Sequence, residues 1–334
     1  MSVPARILRQ TGRHALVDGI HFQLPVASQQ SPALLAAFTI NRRRAARLLP
    51  GNELHPLAFG SRGLLVVTVI DYRVTNIGRY IEYSVAIACT RGARPAPPIL
   101  PLLFQRHYEV GQYVVDLPVS TEISVKGGKG IWGMPKHRAN LDFLIGPDVV
   151  SSQYDLDGQM VMRIDVERPG RTWLSLNTGG ANFCEFRGML MKSYIYFKGR
   201  IGFSLFRAGS ATITLGPSRR ADWLRDLDIG PRPVFSGFFP ETRGVLDDHF
   251  ECWFISSETP FGEAPEGLES VVNLGQGQAW LPAPARSGPA AAGVATSAHE
   301  MIFTAMRSAS AAIVREGFSP MARGTMAPSA TYNP

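Results

Sequence analysis

The feature that most constrains the fold of this 334-residue chain is a series of short segments in which apolar and polar residues alternate. Alternation with a period of two is typical of a strand whose sheet buries one face. Gly, Pro, Asn and Asp residues cluster between the segments, as turns require. The segments that fit are 34–40, 63–74, 78–90, 108–119, 159–167, 172–178, 193–207, 210–216 and 249–256.

Helical segments are few and short. The stretch "NRRRAARLL" (41–49) is one candidate, and "SRRADWLRDL" (218–227) is another, with Ser218 as a suitable N-cap. Strands do not alternate with long helices, which disfavours a doubly wound parallel sheet. We therefore predict a mainly β (α+β) fold, an antiparallel β-barrel or double sheet with a few short helices.

Composition divides the chain into three parts. Residues 1–14 are expected to be an N-terminal extension, and 15–281 a single β domain. The remainder, 282–334, begins with "PAPARSGPAAAGVATSA", which is typical of a linker. A possible helix at 297–316 and a flexible tail are expected to follow.

Charge and cysteine content restrict the functional class. Hydrophobic residues make up 45% of the chain and charged residues 18%, as in a folded protein with a sizeable core. The net charge of +7 is scattered, apart from 42–44, so neither nucleic acid nor a membrane is expected as a partner. Three separated cysteines and no apolar leader favour a reducing, cytoplasmic location.

Two local patterns have both a functional and a structural interpretation. The segment "GKGIWG" (128–133) matches a dinucleotide fingerprint, which needs a helix after its last glycine. Pro135 biases Met134 away from helix, so we interpret the glycines as turn residues. Asp247, His249 and Glu251 would share one face of a strand, and we interpret them as an outer polar face, with no metal expected.

Lys136 is the strongest candidate for chemistry. It follows Pro135 and the apolar residues Ile131, Trp132 and Met134. Desolvation in such surroundings lowers the pKa of an amine, and a neutral amine can form a Schiff base with a ketone. A solvated lysine after a turn is the alternative. His137 follows directly, but neighbours on a strand face opposite sides.

The stretch "GKGIWGMPKH" resembles the lysine signature of the acetoacetate decarboxylase family, a family of Schiff-base lysine enzymes. Upstream, "NIGRYIEYSVAI" resembles the second signature of that family through Gly78, Tyr80 and Glu82. The resemblance covers most of 15–260. It implies an imine at Lys136, with Glu82 facing the lysine, no cofactor, and a homo-oligomer.

The sequence departs from the family at three places. The segment "FQLPVASQQSPALL" lacks the arginine that meets the substrate carboxylate in the decarboxylases. The place of a second glutamate, about Val67, is apolar. The lysine that usually follows the nucleophile is replaced by His137.

From these residues we expect a Schiff-base lyase that decarboxylates a small β-keto acid. Lys136 and Glu82 are the predicted catalytic residues. The predicted pocket and pKa-modulating residues are His137, Trp132, Met134 and Tyr80. An aldolase or dehydratase using the same imine is the first alternative, and a non-catalytic binding protein is the second.

Overall fold

A closed ring of strands dominates the computed structural model of this protein. The structure describes residues 12–98, 100–186, 188–247, 251–256 and 278–286. All of these except Arg286 belong to one compact unit that ends at Ala285. The predicted helix at 297–316 and the predicted tail lie outside the described residues.

The strands, in chain order, are β1 (Arg13–Val17), β2 (Ile20–Leu24), β3 (Val26–Ile40), β4 (Leu54–Pro56), β5 (Gly63–Tyr72), β6 (Val74–Thr75), β7 (Tyr80–Arg91), β8 (Gly111–Val119), β9 (Lys136–Arg138), β10 (Asn140–Leu141), β11 (Leu144–Ile145), β12 (Val149–Leu156), β13 (Gln159–Glu167), β14 (Leu174–Phe186), β15 (Met189–Leu205), β16 (Ala211–Leu215), β17 (Pro233–Leu246) and β18 (Glu251–Phe254). The helices are α1 (Arg42–Ala46), α2 (Leu100–Leu103), α3 (Glu122–Trp132) and α4 (Asp222–Asp226), with one 3₁₀ turn (Arg219–Ala221).

Seven strands close into a barrel in the order β3, β5, β7, β8, β14, β15 and β17, and β17 pairs back onto β3. Neighbours in this ring are antiparallel except β8 and β14, which run parallel. The short strand β9 also joins β8 in a parallel pairing, with Lys136 opposite Leu117. Because the barrel is closed, each strand has an inner face and an outer face, and successive side chains along a strand point alternately inward and outward.

A second, smaller sheet covers part of the outside of the barrel. It consists of β10, β12, β13 and β16, with β11 paired to β12. The main hydrophobic core lies between the two layers and joins Phe38, Val67 and Tyr83 of the barrel to Tyr154 and Ile164 of the small sheet. Burial of these apolar surfaces is the main stabilising contribution to the two-layer arrangement.

The predicted fold class is confirmed, and both predicted helical segments are present. Asn41 caps α1 by accepting hydrogen bonds from two backbone N–H groups, and Ser218 caps the 3₁₀ turn before α4. One prediction is wrong: the glycine-rich segment before Lys136 belongs to α3, an 11-residue helix, and is not a turn between strands. Among the strands of eight or more residues, β12 and β17 were also not predicted.

Candidate active site

The interior of the barrel contains a cavity of about 290 Å³. Its wall is built from the inward-facing residues of all seven ring strands, together with the segment that leads into β9. The described residues that line it are Ser28, Ala33, Leu35, Val66, Thr68, Ile70, Tyr72, Glu82, Ser84, Ala88, Gly111, Gln112, Val114, Leu117, Trp132, Met134, Lys136, Gly180, Ala181, Asn182, Ile195, Phe197, Phe239, Thr242, Gly244 and Leu246.

Lys136 enters this cavity from β9 and is only 4% exposed. Its ammonium group lies 2.7 Å from Oε2 of Glu82 and donates a hydrogen bond of 3.1 Å to the hydroxyl of Ser124. Glu82 comes from β7 and Ser124 from α3, so three separate elements hold the amine. A proton can pass directly between Lys136 and Glu82 at this distance.

Two stacked tyrosines enclose the ion pair. The rings of Tyr72 and Tyr80 lie 4.6 Å apart, and the Lys136 ammonium is 5.4 Å from the centre of the Tyr80 ring. The Tyr72 hydroxyl donates to Oε1 of Glu82 at 3.5 Å. Burial and the Glu82 carboxylate raise the pKa of both tyrosines well above the usual value. Both hydroxyls therefore stay protonated at neutral pH, with Tyr72 a hydrogen-bond donor to Glu82.

The glycines of α3 allow the helix to pack closely against its surroundings. A Cβ on Gly128 would lie 2.2 Å from Cδ of Lys136, and one on Gly130 would lie 2.4 Å from a methyl group of Val17. Gly128 thus makes room for the lysine stem, and Gly130 lets the hairpin β1–β2 approach. The dinucleotide-like spacing is explained by these contacts.

The connection from α3 to β9 sets the direction of Lys136. Gly133 ends α3 with φ +65°, a left-handed conformation that favours glycine. Trp132 and Met134 then line the cavity, and the indole N–H of Trp132 donates to the backbone carbonyl of Asp247 at 2.9 Å. The predicted pocket residues Trp132, Met134 and Tyr80 all lie close to the lysine.

His137 lies on the other side of β9 and is not among the described residues that line the cavity. Its Nε2 is 2.8 Å from the hydroxyl of Tyr154, and its Nδ1 is 3.5 Å from Asp116. Arg220 donates to the same carboxylate at 2.8 Å. Burial lowers the pKa of His137, Asp116 opposes this effect, and Arg220 adds to it. His137 therefore belongs to a buried network behind the strand.

The place proposed for a second glutamate needs a correction. Val67 is fully buried in the core between the two sheets and does not face the cavity. Its neighbours Val66 and Thr68 line the cavity instead, because side chains alternate along β5. Ser28, from the segment without the expected arginine, also lines it. Among the described lining residues, Lys136 and Glu82 are the two charged ones.

Sequence reasoning missed several polar residues at this site, among them Tyr72, Ser124, Gln112 and Asn182. Ser124 stands one helical turn before Gly128, a relation that is visible only once α3 is known to be a helix. Gln112 and Asn182 meet because β8 and β14 pair in parallel, and the Gln112 amide donates to Oδ1 of Asn182 at 2.8 Å. Neither residue belongs to a recognisable motif.

Within the described ranges, no group of three or more His, Cys, Asp or Glu residues could hold a metal ion. Of the residues interpreted as a polar strand face, Asp247 is buried and His249 lies outside the described part. No helix in the described part of the chain is long and apolar enough to cross a membrane.

Comparisons with known proteins bear on the family and the fold of this chain. The sequence pattern of the acetoacetate decarboxylase family matches residues 9–182. A crystal structure of acetoacetate decarboxylase from Legionella pneumophila subsp. pneumophila str. Philadelphia 1 superposes with a TM-score of 0.51 at 13% identity, covering 67% of this chain and 86% of that one. This likeness shows the fold. No curated protein matches the sequence.

Two further structures are also similar. A second acetoacetate decarboxylase has a TM-score of 0.48 at 14% identity, covering 71% of this chain and 91% of that one. The enduracididine biosynthesis enzyme MppR, complexed with pyruvate, has a TM-score of 0.48 at 14% identity, covering 70% and 91%.

Proposed function

This chain belongs to the acetoacetate decarboxylase family, and we propose that it is a lyase that decarboxylates a small β-keto acid through a Schiff base on Lys136. The observation that carries the proposal is the contact of 2.7 Å between the buried Lys136 amine and Glu82 beside a cavity. An amine with one proton acceptor and open space in front of it has what imine formation requires.

The first half of the proposed reaction makes the imine. Lys136 gives a proton to Glu82, and the neutral amine attacks the ketone carbon. A proton moves from nitrogen to oxygen to give a carbinolamine. Glu82 then returns its proton to the hydroxyl group, water leaves, and a protonated imine remains on Lys136.

The second half breaks the carbon–carbon bond. The electron pair of the bond to the carboxylate moves toward the iminium nitrogen, which releases carbon dioxide and leaves an enamine. The enamine carbon takes up one proton that comes from solvent, delivered through Glu82 or by water directly. Water then adds to the iminium and frees the ketone and Lys136.

A second candidate reaction uses the same imine for aldol addition, its reverse, or dehydration. The observation that favours it is the charge of the cavity wall, since no described lining residue except Lys136 is cationic. A decarboxylase with a dedicated carboxylate-binding cation would have a second one. The two reactions share the imine and differ in the substrate that forms it. The experiment must therefore include a substrate for each reaction.

The test is reductive trapping on wild-type protein and on two lysine variants. Protein is incubated with acetoacetate, or with pyruvate plus an aldehyde, in the presence of cyanoborohydride, which reduces an iminium to a stable amine. We expect a mass gain located on Lys136. Lys136→Ala should not gain it, and the matched control Lys192→Ala, which removes a different buried lysine, should.

Product analysis then separates the reactions. Release of carbon dioxide from acetoacetate, abolished in Lys136→Ala, supports the decarboxylase. Carbon–carbon bond formation from pyruvate and aldehyde without such release supports the aldolase. Equal labelling of wild type and Lys136→Ala, or no labelling with any ketone, would sink the Schiff-base proposal altogether.

A further inference from the structure

The cavity is elongated, and Lys136 lies toward one end of it. Lys136 pairs with Leu117 on β8, whereas Gln112 lies five residues earlier on the same strand. Five residues of extended chain correspond to about 16 Å between Cα atoms. The β7 residues that line the wall follow the same order, from Glu82 near the lysine to Ala88 opposite Gln112. A small keto acid such as acetoacetate bound at Lys136 occupies only part of this length.

The wall between the two ends is uncharged. The described residues there are apolar or carry neutral hydroxyl groups, as Thr68 and Ser84 do. The volume of about 290 Å³ is close to the lower limit of pockets that hold drug-sized ligands, about 300 Å³. Burial of apolar ligand surface along such a wall is favourable, whereas a charge placed there would lose its hydration without a partner.

Gln112 and Asn182 form an amide pair at the end away from Lys136. Asn182 is 8% exposed, and the bond of 2.8 Å between the two side chains uses one N–H of Gln112 and one lone pair of Asn182. Each amide carries two N–H donors and one carbonyl acceptor. The pair therefore has further donor and acceptor capacity toward the cavity that both residues line. A polar group that binds there can both give and accept hydrogen bonds.

The geometry points to a keto acid longer than acetoacetate, with its reacting β-keto acid group at one end, an apolar middle, and a neutral hydrogen-bonding group such as a hydroxyl at the other. The inference rests on the proposed imine at Lys136. The ketone would react with the lysine, the middle would lie against the apolar wall, and the distal group would bind the Gln112–Asn182 pair. A distal carboxylate or ammonium is disfavoured because no described lining residue near the pair carries a compensating charge.

The experiment measures which ketones form the imine most readily. Straight-chain methyl ketones of increasing length are prepared in two forms, one ending in a methyl group and one in a hydroxyl group, with acetone as the short reference. The half-saturating concentration for cyanoborohydride trapping at Lys136 is measured for each. At the matching length, we expect the hydroxyl-ended ketone to saturate at about a tenfold lower concentration than its methyl-ended counterpart.

Variants assign the preference to the amide pair. Gln112→Met and Asn182→Leu keep the side-chain size but remove the amides, and Gln159→Met, at an exposed position of β13, is the matched control. The first two should lose the preference for the hydroxyl-ended ketone over its methyl-ended counterpart, and the control should keep it. A role only in joining β8 to β14 would lower stability and leave the preference intact, which would contradict the inference.

The possible failures are distinguishable. If no ketone labels Lys136, both the proposed function and this inference fall. If acetone labels Lys136 but wild type saturates equally with hydroxyl-ended and methyl-ended chains at every length, the proposed function stands and the inference is overturned. This comparison within the wild type decides the matter even if a variant does not fold.

Discussion

Two lysines of this protein are almost equally buried, yet their surroundings differ in kind. The side chains of Lys136 and Lys192 are 5% and 6% exposed. Lys136 has one carboxylate partner, Glu82, and faces a cavity. Lys192 lies 3.1 Å from each of two carboxylates, those of Glu109 and Glu251, and it is not among the described lining residues.

The aromatic surroundings of Lys192 complete the contrast. Its ammonium lies within 6 Å of the rings of Phe183, Tyr194 and Trp253. Burial lowers the pKa of Lys192, but hydrogen bonds to Tyr194 and the two carboxylates raise it more, and the net shift is upward. Burial alone therefore does not make a lysine nucleophilic. A lysine that forms an imine also needs a single proton acceptor and space for the carbonyl carbon of its substrate.

The largest expected effect comes from replacing each lysine by methionine. Lys136→Met should abolish release of carbon dioxide, because no imine can form. Lys192→Met should keep turnover but lower the free energy of unfolding by about 1–3 kcal/mol, because two partly buried carboxylates lose a partner. Turnover assays and urea unfolding check both. Loss of turnover in Lys192→Met with intact folding would contradict the distinction.

The next effect concerns Glu82, the single carboxylate beside Lys136, in contrast to the two carboxylates beside Lys192. Glu82→Gln keeps the size of the side chain but cannot take the lysine proton, so turnover should fall about a hundredfold or more. Glu109→Gln, beside Lys192, is the matched control and should leave turnover near that of wild type. Steady-state rates measure both, and a fast Glu82→Gln enzyme would remove Glu82 from the mechanism.

A smaller effect is expected from the space around the Lys136 stem. Gly128→Ala would place a methyl group against Cδ of the lysine and shift its amine, which should cost roughly ten- to a hundredfold in turnover. The free energy of unfolding should change little, because the preference of alanine over glycine for a helix, about 1 kcal/mol, offsets the cost of displacing the lysine stem. Gly170→Ala, where nothing lies within 4 Å, is the control. Equal rates for both variants would show that the lysine adapts.

The smallest effect concerns His137, a partly buried ionisable group that is not among the described residues lining the cavity. The pKa of His137 is lower in the folded protein than in the unfolded chain. As the pH falls below about 6.5, the unfolded chain therefore binds a proton at this residue more readily than the folded protein, and the free energy of unfolding decreases. His137→Gln should flatten this loss, which is at most about 1.4 kcal/mol per pH unit. Thermal unfolding between pH 7 and pH 5 tests it, with exposed His14→Gln as control. An unchanged pH slope would contradict the assignment.

The sequence predicted the barrel where alternation is regular and failed where it is interrupted. Strands β5, β7 and β13 have long regular runs and were found with nearly the observed bounds. Strand β17 contains Pro240 and Glu241 at a register irregularity, which breaks the alternation that identifies a strand. Its pairing with β3 depends on residues some 200 positions away.

Helix α3 was missed for a different reason. Each of Gly127, Gly128 and Gly130 disfavours a helix by about 1 kcal/mol relative to alanine. The compensation is tertiary, since β1, β2 and Lys136 pack into the space that the glycines leave. Lys136 and Glu82 were found because they lie in short local signatures. Gln112 and Asn182 were not, because their proximity is a product of strand pairing.

The closure of the barrel by β17 has a consequence for how the protein is made. A nascent chain that has emerged as far as residue 232 contains Lys136 and Glu82 but lacks the strand that joins β3 to β15. Non-local pairings of this kind form slowly and late. Until β17 is in place the cavity has an open side, and water reaches the lysine. The residues proposed for chemistry are thus translated in the first half of the chain, and the barrel that surrounds them is completed about a hundred residues later.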